Sequence, residues 1–162
     1  METGGIKQRY QEADYLGCGN DSFELMNAGF TKIDDSPAAQ TSSRRYVGDK
    51  SATKAISGYD WSAPFEFDMI ESEKAIEFIV GIARDEKTGV EAETDYIRVD
   101  LAGTKDAQKG FPARKRKVAI EVSAIEDNSG ELKGSGNFLG IGNWEKGYFD
   151  TQTKKFTPAT GE

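Results

Sequence analysis

The stretch FPARKRKVAIEVSAI, residues 111–125, carries the alternation that decides the fold class. Val118, Ile120 and Val122 share one parity, and the positions between them are small, charged or polar. A period of two residues places the apolar side chains on one face of a β-strand. Four consecutive basic residues precede Val118, so this strand is predicted to begin at a solvent-exposed rim and then to enter the core.

Further segments carry strand signals, and turn-forming residues separate them. Glycine is frequent, with 18 residues, which fits a mainly β domain with many turns. In GSGNFLG (134–140) the glycines predict a bulge or a close backbone approach, because a dinucleotide-binding loop would have to open a helix. Strands are predicted at 23–33, 58–69, 95–101 and 131–142, and a hairpin at 146–158 that turns at Thr-Gln-Thr-Lys.

One segment has a helical period. Apolar residues from Ile76 to Ala83 recur at i, i+3, i+4 and i+7, which predicts an amphipathic helix of about four turns. Asp68 with Glu71 resembles a capping arrangement, and Gly89 is placed to end the helix. The expected fold is therefore mainly β (α+β), a β-sandwich or barrel of two antiparallel sheets with one flanking α-helix.

The chain is predicted to form a single domain, 1–162, from which three segments extend. They are an N-terminal arm (1–22), a long loop between strands (34–57) and a C-terminal tail (158–162). The few apolar residues of the arm are isolated among polar ones and would be poorly buried in a monomer. Such segments predict a homo-oligomer that uses heterologous contacts, closing into rings or stacking into filaments.

The composition narrows the possible functions. Lys and Arg total 21 against 28 Asp and Glu, for a net charge of −7, which argues against a protein that grips duplex DNA through its phosphates. Histidine is absent, which removes His-containing triads and the commonest zinc ligand. Cys18 is the single cysteine, so no intrachain disulfide can form.

No pattern of residues predicts catalysis. The acidic stretch 85–95 lacks the ligand spacing of a calcium-binding loop. The sequence contains neither the motif of a phosphate-binding loop nor a motif that surrounds a catalytic nucleophile. We therefore expect no catalytic, cofactor or metal site and no enzymatic activity. No apolar run is long enough to cross a membrane, and no export signal is visible, so a soluble protein is expected.

The order of several segments resembles a known family. RYQEADYL (9–16), the AQT…Y…DKSAT loop (39–53), PFEFDMIESEKA (64–75) and TDYIRVDL (94–101) together are similar to the major tail (tail tube) proteins of long-tailed phages and prophages of Gram-positive bacteria. The similarity extends from about Lys7 to Pro158. None of these motifs is a catalytic fingerprint.

The resemblance implies a structural virion protein that assembles in the host cytoplasm. Proteins of this kind form hexameric rings whose sheets join into a barrel, and the rings stack into a tube through which genome DNA passes without specific binding. The partners implied are further copies of the chain, the tape-measure protein and the tail-tip and terminator proteins. Six copies at −7 each would carry −42 per ring, which would repel DNA phosphates and favour sliding.

The resemblance also implies where subunits meet. The loop 36–53 would contact the next ring, and the arm 1–16 would bridge subunits. The basic end of the strand at 111–125, which its own residue pattern places at a rim, would meet an adjacent subunit or ring. The expected contact residues are Arg44, Arg45, Tyr46, Asp49, Lys50, Arg114, Arg116, Tyr10 and Tyr15.

Two other functions remain open from the sequence. The chain could be the tube subunit of a contractile tail or a tail-like injection device, which shares the fold. It could also be a carbohydrate-binding β-sandwich, in which Tyr59, Trp61 and Trp144 would supply the aromatic platform that a sugar site needs.

Overall fold

The computed structural model describes residues 5–19 and 22–159. The ends of the predicted N-terminal arm and C-terminal tail, and residues 20–21 within the arm, lie outside the described residues. The elements are β1 (Glu12–Gly17), β2 (Phe23–Leu25), β3 (Phe30–Ile33), β4 (Ala39–Arg44), β5 (Thr53–Tyr59), β6 (Ser62–Asp68), α1 (Lys74–Arg84), β7 (Glu93–Asp100), β8 (Phe111–Asn128), β9 (Glu131–Asp150) and β10 (Lys155–Pro158), with short 3-10 turns at Arg9–Gln11 and Gly89–Ala92.

The described strands form two antiparallel sheets of unequal size. The larger has eight strands in the order β2-β1-β7-β8-β9-β6-β3, with β10 also paired to β9, and the smaller contains only β4 and β5. The long strands β8 and β9 pair along most of their length, and the far edge of β9 is divided between β6 and β10. The prediction of a mainly β fold with one helix is confirmed, as is the hairpin between β9 and β10.

Two apolar clusters lie on opposite faces of β1 and β7. Tyr96 packs with Leu16, the aromatic residues of β6 and the helix, whereas Ile97 packs with Tyr15 and Phe149. The folded sheet therefore covers both faces of these two strands. The strand predicted at 95–101 gave no indication that both of its faces are buried.

The helix is shorter than predicted. It spans the 11 residues Lys74–Arg84, about three turns, and Glu73 at its N-cap makes no side-chain capping bond. Asp68 belongs to β6 instead, and Gly89 begins a 3-10 turn. Ala75, Ile76, Ile79 and Ile82 are buried against the sheet, so the amphipathic face itself was correctly predicted.

The N-terminal region differs most from expectation. Residues 12–17 are not part of a free arm, because β1 pairs with both β2 and β7 inside the main sheet. The single strand predicted at 23–33 is two strands that pair with different neighbours, β1 and β6. A turn with Gly29 at φ 86° separates them, and the positive φ explains the glycine there.

The strands β8 and β9 approach each other very closely at one point. The register shifts between Val122 and Ala124, opposite Gly136 and Ser135. A Cβ added to Gly136 would lie 2.0 Å from the backbone oxygen of Glu121. The glycine therefore permits a backbone contact at a β-bulge, as the sequence had predicted for this run.

Cys18 is half-buried beside the main core, and its Sγ lies 3.5 Å from the backbone oxygen of Leu16. Burial, aided by the nearby Glu24 carboxylate, raises the pKa of this thiol from 9.0 to about 12. Burial likewise raises the pKa of Tyr96, and the charge of Asp14 adds to the effect. Both groups are therefore held in their neutral forms.

We expect the free energy of unfolding to fall as the pH rises from 9 towards 12. In this window the unfolded chain loses the Cys18 proton while the folded chain retains it, so deprotonation favours the unfolded state. Urea denaturation at pH 8, 9, 10 and 11 measures the effect. The Cys18→Ala variant should show a shallower decline, and an equally steep decline in that variant would contradict the assignment.

Candidate functional site

The segment predicted as a long loop forms a β-hairpin outside the main sheet. Strands β4 and β5 pair from Ala39↔Tyr59 to Arg44↔Thr53, with a register shift after Gln40. We call residues 39–59 the hairpin arm. The sequence did not reveal these strands because both of their faces meet solvent, so small polar residues replace the usual apolar alternation.

The hairpin arm carries large apolar side chains on an exposed surface. Tyr46 is 62% exposed and Val47 fully exposed at the tip, and Ile56 and Tyr59 are exposed on β5. An isolated two-stranded hairpin is only marginally stable in water. The arm therefore presents an apolar surface that no described residue of its own chain covers.

The structure brings five of the predicted contact residues together at the tip of the arm. The backbone N–H of Tyr46 donates to the Asp49 carboxylate at 3.1 Å, and the N–H of Asp49 donates to the Tyr46 carbonyl at 2.9 Å. This turn closes the tip. The other three residues, Arg44, Arg45 and Lys50, are exposed beside it.

Charge is unevenly distributed between the arm and the rest of the chain. The arm contains four basic residues and one acidic residue, a net charge of +3. Since the whole chain carries −7, the remainder carries −10. The arm therefore presents a cationic, partly apolar tip on an acidic protein.

The two tyrosines predicted as contacts in the N-terminal arm have different environments. Tyr10 is 78% exposed and remains available to a neighbour. Tyr15 is 5% exposed and its ring packs on Phe149 at a centroid distance of 4.4 Å. The prediction for Tyr15 is wrong because β1 lies inside the main sheet, between β2 and β7, and is not part of an arm.

The two arginines predicted at a rim pack on aromatic rings of their own chain. The Arg114 guanidinium lies 4.9 Å from the centroid of Trp144, and that of Arg116 lies 5.2 Å from the centroid of Trp61. Arg116 also donates to the carbonyl of Gly142 at 2.6 Å. Arg114 is exposed, but Arg116 supports the fold, so reversing its charge would disturb folding as well as any contact.

A buried charged network, which the sequence had not indicated, joins β1 and β7. Arg98 is 7% exposed, and its Nε lies 3.0 Å from Oδ1 of the buried Asp14. The Tyr96 hydroxyl donates to the same carboxylate at 2.9 Å, and Arg9 pairs with its other oxygen. Burial opposes the charged form of Arg98, but the oxygens of Tyr96 and Asp14 outweigh it and raise the pKa of Arg98.

The same network holds the base of the hairpin arm. Arg98 donates to the carbonyl of Asp34 at 3.4 Å, and its NH1 lies 3.8 Å from the Asp35 carboxylate. The indole N–H of Trp61 donates to the other oxygen of Asp35. The base of the arm is therefore fixed to the core, whereas its tip is free.

The aromatic platform of the carbohydrate-binding alternative is not formed. Trp61 is buried and meets Trp144 edge to face at a centroid distance of 4.8 Å. Arg116 covers the face of Trp61, and Tyr59 stands exposed on the hairpin arm. The three rings do not present the open, flat surface on which a sugar would stack.

No group of three or more His, Cys, Asp or Glu side chains in 5–19 and 22–159 is arranged to hold a metal ion. None of the helices in that part of the chain is long and apolar enough to cross a membrane.

Comparisons with known proteins support the fold. No protein-family model and no curated protein matches the chain. Among solved structures, the chain is similar to a chain of the anti-feeding prophage baseplate, determined by cryo-electron microscopy with six-fold symmetrisation, with a TM-score of 0.54 and 10% sequence identity. The match covers 90% of this chain and 97% of that chain. The fold is thus one found in a phage-like particle, and the narrower resemblance to major tail proteins of Gram-positive phages stays a prediction.

Proposed function

We propose that this protein is a structural subunit of a phage tail or tail-like particle, and that it assembles with copies of itself into hexameric rings that stack into a tube. The observation that carries the proposal is the hairpin arm, a rigidly anchored projection whose apolar tip is exposed in the monomer. A projection of this kind gains stability by covering its apolar side chains on a neighbour. The likeness to a chain of a six-fold symmetrised baseplate supports this class of assembly.

The acidic composition supports a conduit for DNA over a protein that binds it. A wall of negative charge repels phosphates and keeps adhesion weak, so that a genome can slide. In this proposal the chain is not an enzyme, and its partners are other copies, the tape-measure protein and the tail-tip and terminator proteins. The virion tail, assembled in the host cytoplasm, is its proposed location.

A second candidate is the tube subunit of a contractile tail or a tail-like injection device. The likeness to a chain of a prophage baseplate favours this candidate. Both candidates use the same subunit contacts. Electron micrographs of assembled particles would distinguish them by the presence or absence of an outer sheath.

Removing the tip of the arm is expected to abolish assembly and to leave the fold intact. Arg44 pairs with Thr53, so an Asn-Gly turn can replace residues 45–52 and close a two-residue hairpin. Negative-stain microscopy and sedimentation velocity measure assembly, and circular dichroism with thermal denaturation measures folding. We expect six-fold rings or tubes from the wild type and monomers from the variant, with similar melting temperatures.

A matched control shortens an exposed turn elsewhere. Asp150 pairs with Lys155, so an Asn-Gly turn can likewise replace residues 151–154. This variant should assemble as the wild type does. Normal tubes from the tip variant would contradict the role of the arm. A wild-type protein that stays monomeric at high concentration, also when mixed with tail-tip proteins that nucleate a tube, would contradict the proposal as a whole.

A further inference from the structure

A partly apolar groove lies between the segment that leads into α1 and the turn between β8 and β9. The backbone N–H of Met69 donates to the carbonyl of Leu132 at 3.0 Å and joins the two sides. Ile70 and Leu132 are large apolar side chains exposed in the groove, and Met69 and Val80 contribute to its lining. Met69 and Val80 are partly buried, whereas Ile70 and Leu132 remain exposed.

Carboxylates surround this apolar surface. Asp68, Glu71 and Glu131 line one half of the groove, and Glu71 and Glu77 line the other half. The two halves share Met69 and Glu71, so the surface is continuous. We call it the acidic groove.

The acidic groove and the hairpin arm lie at opposite ends of β6. Ser62, the first residue of β6, pairs with Ser36 at the base of the arm. Asp68, the last residue of the strand, is part of the groove. Seven residues of extended chain separate the two sites by about 20 Å. In its own chain the tip of the arm is exposed, and no tip residue is among those that line the groove.

The tip of the arm matches the groove in chemistry. Tyr46 and Val47 provide exposed apolar surface, and Arg44, Arg45 and Lys50 flank them with positive charge. The groove offers apolar side chains inside a border of negative charge. Association of two such surfaces would bury the apolar residues and pair opposite charges.

We propose that the acidic groove receives the hairpin tip of a second copy of this chain. Because arm and groove occupy opposite ends of a strand, the contact is head-to-tail and leaves a free arm and a free groove on the pair. Repetition of the contact extends the assembly along one direction. This inference rests on the proposed function and names the receiving surface for the arm.

Charge reversal on the two surfaces tests the pairing. Glu71→Lys with Glu77→Lys in the groove, or Arg44→Glu with Arg45→Glu in the arm, should raise the protein concentration needed for assembly at least about tenfold, because like charges then face each other. All four substitutions in one chain restore opposite charges and should restore assembly. The control, Asp85→Lys with Glu91→Lys, changes the net charge equally away from the groove and should assemble normally.

Site-directed crosslinking identifies the contact directly. In a Cys18→Ala background, a Val47→Cys chain mixed with a Leu132→Cys chain should give crosslinked dimers with a short bismaleimide reagent. A Val47→Cys chain mixed with a Val90→Cys chain should not, although Val90, on another surface, is more exposed than Leu132.

The outcomes separate this inference from the proposed function. One outcome is that assembly requires the arm tip, survives charge reversal in the groove and gives no crosslink at Leu132. That outcome would overturn the groove as the receiving surface and leave the proposal of a tube intact. Crosslinked dimers that never assemble into rings or tubes would support the contact between arm and groove and contradict the proposal of a tube. Failure of the fourfold variant to assemble, with its circular dichroism unchanged, would overturn the direct charge pairing.

Discussion

The Arg98→Met variant is expected to lose about 3–5 kcal/mol of unfolding free energy, because it leaves the buried Asp14 carboxylate without its main cationic partner. Arg98 lies 3.0 Å from Asp14 and is 7% exposed, so water cannot replace the lost interactions without opening the structure. Arg9 still reaches Asp14, but its own side chain is about half exposed. Urea denaturation monitored by tryptophan fluorescence measures the change.

A double-mutant cycle shows whether the loss arises from the pair. Asp14→Asn combined with Arg98→Met removes both charges and should destabilise the protein by less than the two single changes added together. Lys32→Met is the matched control, since Lys32 forms an exposed ion pair with Asp34 at 3.6 Å and should change stability by less than about 1 kcal/mol. Strict additivity in the cycle would refute the pairing.

The Gly136→Ala variant is expected to destabilise the protein by about 3 kcal/mol or more, at the upper end of overpacking effects. The added Cβ would lie 2.0 Å from the oxygen of Glu121 and 2.9 Å from the Cα of Val122. Both are backbone atoms of the paired strand, so no side-chain rotation can relieve the contact. The two longest strands would have to separate at their bulge.

The matched control for this variant is Gly58→Ala on the hairpin arm. A Cβ at Gly58 meets nothing within 4 Å, and the residue does not have a positive φ. Its substitution should therefore change the melting temperature little. Equal stability of the Gly136→Ala variant and the wild type, in thermal and urea denaturation alike, would show that the strands do not approach this closely.

The parts of the fold that the sequence predicted are those with a periodic apolar pattern. Val118 and Ile120 are buried on one face of β8, and Ile76 and Ile79 are buried on one face of α1, as their spacing indicated. The limits of these elements were less accurate. The helix begins at Lys74 rather than near Asp68, because strand pairing with Lys133 holds Asp68 in β6.

The hairpin arm could be located from its sequence but not recognised as strands. The sequence correctly placed its tip residues, among them Arg44 and Tyr46, in an exposed segment that extends from the domain. Strands that bury neither face lack the alternation from which a strand is normally inferred. Only the structure shows that β4 and β5 pair with each other.

The buried network around Arg98 could not be predicted from the sequence, for a different reason. Arg98 lies in the strand predicted at 95–101, and Asp14 lies 84 positions earlier in the chain. No local pattern shows that the folded sheet covers both faces of β7. A charged residue between buried positions, as in YIRV at 96–99, is the one signal that could have raised the question.

The attachment of the hairpin arm has a mechanical consequence. Its base is tied to Arg98 through Asp34 and Asp35, and Arg98 also holds Glu12 and Asp14 on the neighbouring strand. A pulling force on the tip would therefore be transmitted into β1 and β7, where it acts across many backbone hydrogen bonds at once. Such a joint is stiff. In the proposed tube, bending would be taken up where one chain meets the next, while each subunit keeps its shape.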